Sequence, residues 1–173
     1  MRQRARLPHV ARWIEPLTAA LAGAKAFRGY ALRAARRDDE DFLFALHRAA
    51  MRDYVEETWG WDEDWQRQHF AATYAPAQHA VIVRLDPAPR DVGRISLTRH
   101  WRKIFLRDIE LVAAERNRGV GTALIRALLM LAKADRRAVE LLVLKCNPAQ
   151  RLYARLGFTV VTDDGTRLTM RTE

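Results

Sequence analysis

Arg116-Asn117-Arg118-Gly119-Val120-Gly121-Thr122 places two arginines and two glycines between a strand-like segment, Ile104 to Val112, and a helix-like one, Thr122 to Lys133. A strand that ends in a basic, glycine-punctuated turn and opens straight into a helix can cradle a phosphate. Glycine lets the backbone approach an anion, first-turn N–H groups lack partners inside the helix, and the dipole adds positive potential. Arg116 and Arg118 would add charge-assisted hydrogen bonds. Taken alone, Arg-x-x-Gly-x-Gly fits an ordinary turn equally well.

Acid–base chemistry has its own candidates. Strand alternation puts Asp108 and Glu110 on one face. Trp59, Trp61 and Trp65 lie among Glu56, Glu57, Asp62, Glu63 and Asp64. An aromatic and acidic wall of that kind suits a cationic amine or a peptide N-terminus. The same tryptophans, Trp61 and Trp65 being four apart, could equally pack one helix onto a sheet. His47, His69, His79 and His100 show no metal-ligand spacing with Cys146, so no metal site is expected. Cys146 has no histidine beside it and reads as a small packed residue.

The elements that must hold these groups can be read from periodicity and punctuation. Tyr30 to Ala35 predicts a first strand. Asp38-Asp39-Glu40-Asp41 opens a helix, with Phe42, Leu43, Leu46, Ala49 and Ala50 at helical spacing. A second helix is expected over Asp62 to Tyr74. His79 to Leu85 and Asp91 to Thr98 predict a hairpin around Asp86-Pro87-Ala88-Pro89-Arg90. After Gly121, Leu124, Ala127, Leu128 and Leu131 form a core-facing stripe. Val139 to Leu144 is nearly all apolar and predicts a strand covered on both faces. Asn147 caps a short helix that starts at Pro148 and stops at Gly157. Phe158 to Thr162 and Arg167 to Thr172 close the chain around Asp163-Asp164-Gly165.

Composition sets the outer limits. The 173 residues carry a net charge of +9, with 49% apolar and 29% charged residues, the profile of one globular domain. Residues 1–28 hold six basic side chains against the single acid Glu15, so +5 of the excess falls there and +4 on the rest. That leading segment lacks the apolar core and cleavage site of a secretory signal. It reads as a basic N-terminal extension whose order is left open, with the domain over residues 29–173. One cysteine cannot form an internal disulfide, which points to a reducing compartment, the cytoplasm. No apolar run approaches the roughly 18 residues of a membrane span.

In order and spacing, Arg116-x-x-Gly119-x-Gly121 resembles the acetyl-CoA signature of the GNAT superfamily of N-acyltransferases. So does the later run Asn147-Pro148-Ala149-Gln150-Arg151-Leu152-Tyr153-Ala154-Arg155-Leu156-Gly157-Phe158. Tyr54-Val55-Glu56-Glu57-Thr58-Trp59-Gly60-Trp61-Asp62-Glu63 is similar to one small-protein branch of that superfamily. The resemblance spans Tyr30 to Met170. Ala113 stands where many relatives carry proline, and Asn117 where many carry glycine. Asparagine tolerates left-handed backbone, so the loop can still form.

This resemblance implies an α+β fold. A central, mostly antiparallel twisted sheet of about six to seven strands would be flanked by about four helices, with a splayed parallel strand pair in the middle. It implies acetyl-CoA as co-substrate, no metal, and acetyl transfer to a primary amine by direct attack in a ternary complex. The alternative reading is a non-catalytic acyl-CoA-binding sensor or interaction module. By the same resemblance, cofactor contacts fall on the backbone of Ile109, Glu110 and Leu111, and on Arg116, Asn117, Arg118, Gly119, Val120, Gly121, Thr122, Asn147 and Tyr153. A main-chain N–H near Leu111 would meet the thioester oxygen. Tyr153 would protonate the leaving thiolate, unless its ring only packs in the core. Glu110 is the first candidate base, with Asp108 sharing the work or binding substrate and with Glu56 and Glu57 as the alternates. Glu56, Glu57, Trp59 and Trp61 would wall a small-molecule or peptide amine. A homodimer is compatible with this reading, which favours neither a membrane nor a nucleic-acid partner and leaves the acceptor open.

Overall fold

Alternating apolar residues across the middle of the chain assemble one seven-stranded sheet. The computed structural model describes residues 11–173, so the part of the basic extension that carries Arg2, Arg4 and Arg6 lies outside the described residues. Among those described, the elements run α1 (Ala11–Leu21), β1 (Tyr30–Ala34), α2 (Glu40–Trp59), α3 (Glu63–Thr73), β2 (His79–Arg84), β3 (Arg90–Arg99) and β4 (Lys103–Leu111). They continue with α4 (Val120–Ala134), β5 (Ala138–Leu144), α5 (Ala149–Arg155), β6 (Thr159–Asp163) and β7 (Arg167–Arg171). Strand order is β1-β2-β3-β4-β5-β7-β6, with β4 and β5 parallel and every other pair antiparallel. The expected α+β architecture, with a parallel pair in its middle, is the observed one. No helix among the described residues is long and apolar enough to cross a membrane.

Among the described residues, five α-helices stand where about four were expected. The additional one, α1, lies inside the segment read as an extension. Trp13, Ile14, Leu17 and Leu21 are buried on one face of it, while Arg12 and Glu15 stay exposed. That face packs on α4 and joins the main core with Ile82, Ile95, Leu124, Ile125, Leu128 and Leu141. Pro16 removes one backbone donor from α1 but falls on its exposed side. On the opposite face of the sheet, α2 and α3 cover a smaller apolar cluster, including Leu43, Leu46, Val81 and Val83.

The strand over residues 139–144 departs from expectation in one residue. Val139, Leu141, Val143 and Leu144 are buried, but Leu142 is 46% exposed. The reason is that α2 lies over β3 and β4 and does not extend across β5.

Two register shifts shape the centre of the sheet. Ile82 pairs with Gly93 and Val83 with Asp91, which leaves Val92 as an extra residue on β3. Ser96 pairs with Asp108 and Leu97 with Leu106, which leaves Arg107 extra on β4. Gly93 is needed beside the first bulge. A Cβ there would lie 2.5 Å from the Glu110 carbonyl oxygen and 2.7 Å from Leu111 Cδ2. Gly93→Ala should therefore cost about 1–3 kcal/mol through overpacking, lowering Tm by several degrees in a thermal melt. An unchanged Tm would contradict this close approach.

Candidate active site

The site begins where two neighbouring strands part. β4 and β5 pair only from Lys103↔Ala138 to Leu106↔Leu141, after which Arg107–Leu111 has no partner on the β5 side. Towards β3 the ladder continues, and the Val112 amide donates to the Val92 carbonyl at 2.8 Å. Antiparallel parity then turns the Glu110 backbone towards β3 and the N–H and C=O groups of Ile109 and Leu111 into the gap. Ile109 and Leu111 thus turn backbone groups into the gap, whereas those of Glu110 already serve the β3 ladder.

The basic turn sits at the open end of the gap. Asn117 has φ 60° and Gly119 has φ 80°, so the asparagine does adopt the left-handed backbone that glycine supplies elsewhere. Gly119 is the N-cap residue of α4. The amides of Val120, Gly121 and Thr122 precede the first intrahelical donor, Ala123, whose N–H bonds the Gly119 carbonyl at 2.9 Å. The two arginines are exposed but already tied to the protein. Arg116 Nε donates to the Leu111 carbonyl at 2.9 Å, and its Nη2 to the Ala49 carbonyl at 3.4 Å. Arg118 Nε donates to the Ala114 carbonyl at 3.0 Å and lies 3.6 Å from Glu115 Oε2.

Glu115 anchors the turn from below. Its buried carboxylate accepts from Tyr30 Oη at 2.5 Å, Arg84 Nη1 at 3.4 Å and Arg90 Nη2 at 3.3 Å. The Tyr30 bond is the main reason that the carboxyl pKa is held below its ordinary range. Nearby, the Ala26 Cβ lies 3.1 Å from where a Gly119 side chain would begin. Residues 25–30 therefore brace the cradle.

Asp108 and Glu110 share a face as expected, and that face holds a clamp that the sequence did not reveal. Arg94 Nε donates to Glu110 Oε2 at 2.7 Å, its Nη2 to Glu110 Oε1 at 3.2 Å, and Nη2 lies 3.3 Å from Asp108 Oδ1. His47 Nδ1 is 2.9 Å from Glu110 Oε1. Burial alone would raise the Glu110 pKa, but the Arg94 charge and the hydrogen bonds of His47 and Arg94 outweigh it and hold it well below the ordinary range. Such a carboxylate is a weak base at neutral pH, which counts against the base role expected of Glu110. Asp108 goes the other way. Burial raises its pKa and the Glu110 charge adds to this, with Arg94 only partly offsetting. Burial, helped by these two carboxylates, pushes the Tyr153 phenol to about 12, so it stays protonated at neutral pH.

One donor atom from each of His47, Asp108 and Glu110 lies within 4.8 Å of the others, a grouping that sequence spacing did not suggest. The Arg94 guanidinium, bonded to both carboxylates, already supplies their countercharge. Sequence signals for the clamp do exist: Arg94 interrupts an apolar strand, and His47 sits beside Leu43 and Leu46 on a packed helix face.

The remaining expected residues are more dispersed. Trp59 is 57% exposed, with the Arg167 guanidinium 5.8 Å from its ring centre. Trp61 lies 6.4 Å from His47, ring to ring, and donates from Nε1 to Glu63 Oε2 at 2.8 Å. Glu56 accepts from the Trp61 amide at 3.1 Å, and Glu57 is exposed. Asn147 Oδ1 accepts from the Ala149 amide at 2.9 Å, the capping bond its position predicted. Cys146 is half-buried against Tyr54 and Thr58.

The fold recurs in solved structures. The PaiA N-acetyltransferase of Thermoplasma acidophilum, in complex with coenzyme A, matches with a TM-score of 0.64 at 17% identity, over 83% of this chain and 98% of its own. Ard1 of Thermoplasma volcanium gives 0.57 at 18%, over 83% and 96%. Arabidopsis thaliana Naa50, bound to the bisubstrate analogue CoA-Ac-MVNAL, gives 0.56 at 14%, over 84% and 99%. At these identities the likeness establishes a shared fold. No curated protein matches the chain in sequence. The chain belongs to the Acetyltransferase (GNAT) family, whose model matches residues 41–158.

The Glu110 clamp has a pH signature. A carboxylate with a lowered folded pKa contributes stability that is complete above the unfolded value, about 4.3, and is lost as pH falls through the folded one. Urea unfolding between pH 7 and 3 should show stability falling below roughly pH 4.5, and Glu110→Gln should flatten that fall. An unchanged acid slope in the variant would contradict the clamp.

Proposed function

We propose that the protein is an N-acetyltransferase that moves the acetyl group of acetyl-CoA to a primary amine by direct attack in a ternary complex. The observation that carries this is the parted strand pair, whose free backbone groups at Ile109 and free N–H at Leu111 lead to the unbonded amides at the start of α4. Pantetheine would bond along β4 as an added half-strand. The pyrophosphate would rest on Asn117 through Thr122, with Arg116 and Arg118 flanking it. The family membership supports the same reading.

In the transfer, the amine nitrogen bonds to the thioester carbon and the Leu111 N–H donates a hydrogen bond to the oxygen on which negative charge grows. The C–S bond then breaks, the Tyr153 phenol protonates the leaving thiolate, and the amine proton passes to a base. We assign that base to Asp108, whose carboxyl pKa is raised by burial, which makes it a stronger proton acceptor than the lowered Glu110. Glu110 becomes a positioning residue that holds Arg94 and His47. Glu56, Glu57, Trp59 and Trp61 line the approach of a peptide or small-molecule amine. We take the acetyltransferase domain to begin with α1, because α1 closes the core over α4, and we place the enzyme in the cytoplasm on the strength of its single free thiol.

Calorimetric titration tests the cradle. Acetyl-CoA should bind at micromolar Kd, and Gly119→Val should abolish binding, since φ 80° and the nearby Ala26 leave no room for a branched side chain. Tyr153→Phe and Asp108→Asn should each lower kcat by about 10²-fold or more. No binding by folded protein would overturn the enzyme reading. Binding without turnover of any amine would favour the sensor, and full activity in either variant would remove that residue from its role.

A further inference from the structure

A cavity of about 140 Å³ lies between α2, α3 and the middle of the sheet, well below the roughly 300–1,000 Å³ of pockets for drug-sized ligands. Its lining includes His47, Tyr74, His79, Arg94, Arg107 and Asp108. Consecutive strand residues normally point to opposite faces. Here the extra residue at the β4 bulge re-aims one of them, so that Arg107 and Asp108 both line the same cavity.

The charges of the cavity are unevenly satisfied. Arg94 is fully engaged with Glu110 and Asp108. Asp108 shares that single cation with Glu110 and has capacity left. Arg107 forms no ion pair among the described residues; its Nη1 donates only to Gln78 Oε1, at 3.1 Å. His79 is 95% buried, and its Nδ1 has no hydrogen-bond partner there, nor does the Ser96 hydroxyl opposite it in the ladder. Burial, with Arg94 and Arg107 nearby, lowers the His79 pKa to about 4, so the ring is neutral at pH 7 and offers hydrogen bonding without charge.

We propose that this cavity is the acceptor pocket and that its substrate is a small free amino acid, the ammonium held by Asp108 and the carboxylate by Arg107. The inference rests on the acetyltransferase reading and narrows its acceptor. A zwitterion matches a carboxylate and a guanidinium set side by side, and the neutral His79 ring in the same lining adds no competing charge. A polyamine would leave Arg107 facing a cation. A peptide N-terminus would replace the carboxylate with a neutral amide and extend past the small volume.

CoA release at saturating acetyl-CoA decides the matter, using the proteinogenic amino acids, their amides, spermidine and an N-terminal pentapeptide as acceptors. At least one small amino acid should exceed its own amide in kcat/KM by about tenfold or more, the worth of one charge-assisted contact. Arg107→Gln, on an exposed bulge, should raise KM for the amino acid towards that of the amide with little change in kcat, while its thermal melt stays that of the parent. Equal or better turnover of the amide, the pentapeptide or spermidine overturns the proposal, as does a preference that survives Arg107→Gln. Acetyl-CoA binding with no amino acid turned over overturns it too and leaves the cofactor site standing. Failure of acetyl-CoA to bind at all would instead strike the acetyltransferase reading beneath it.

Discussion

Two adjacent parallel strands stop bonding to each other halfway along their length, and most of the remaining architecture answers to that break. Backbone donors and acceptors left unpaired inside a protein are costly. The parting of β4 and β5 is tolerable because it opens at the sheet end, where Arg116 reaches back to the Leu111 carbonyl and solvent or a ligand can reach the rest. Below the break, the ladder from Lys103 to Leu106 holds the two strands together, and α4 connects them on the face that carries the main core. The gap is thus a fixed wedge with one closed and one open end.

The opposite face of the sheet is built differently. Its apolar cluster is small, and beside it Arg94, Glu110, Asp108, His47 and His79 form a polar layer that borders the cavity. A buried guanidinium with two carboxylates and an imidazole costs desolvation, which only close geometry recovers. That geometry fixes α2 over β3 and β4 through His47, and it does so immediately beside the wedge. The polar layer therefore ties the position of a helix to the charge state of the site.

Much of the fold was legible in the sequence because its signals are local. The stripe of α4, the Asn147 cap, the Gly157 stop and the Asp163-Asp164-Gly165 turn each depend on residues a few positions apart, and each stands where expected. Helix α1 was missed because arginines and Pro16 mask an apolar stripe of four residues. For the site, the shared face of Asp108 and Glu110 follows from alternation alone. Their opposite pKa shifts do not, because Glu110 is lowered by Arg94 and His47, which the fold brings from β3 and α2, while Asp108 is raised by burial. The bulge at Arg107 was equally hidden: it is a property of register between two strands, and no residue type in β4 announces it.

The contact of Ala26 with Gly119 and the bond from Tyr30 to Glu115 separate two quantities that are easily taken as one, the stretch of chain that looks like its relatives and the stretch that can fold. The family match runs over residues 41–158. Outside it lie α1, β1, β6 and β7, and β7 is the strand that hydrogen-bonds β5 on its far side. The recognisable part is thus a sheet with a raw edge on β5 and an uncovered core over α4. The family model spans the cradle, and part of what lets the cradle hold its shape is drawn from flanks that lie outside that match.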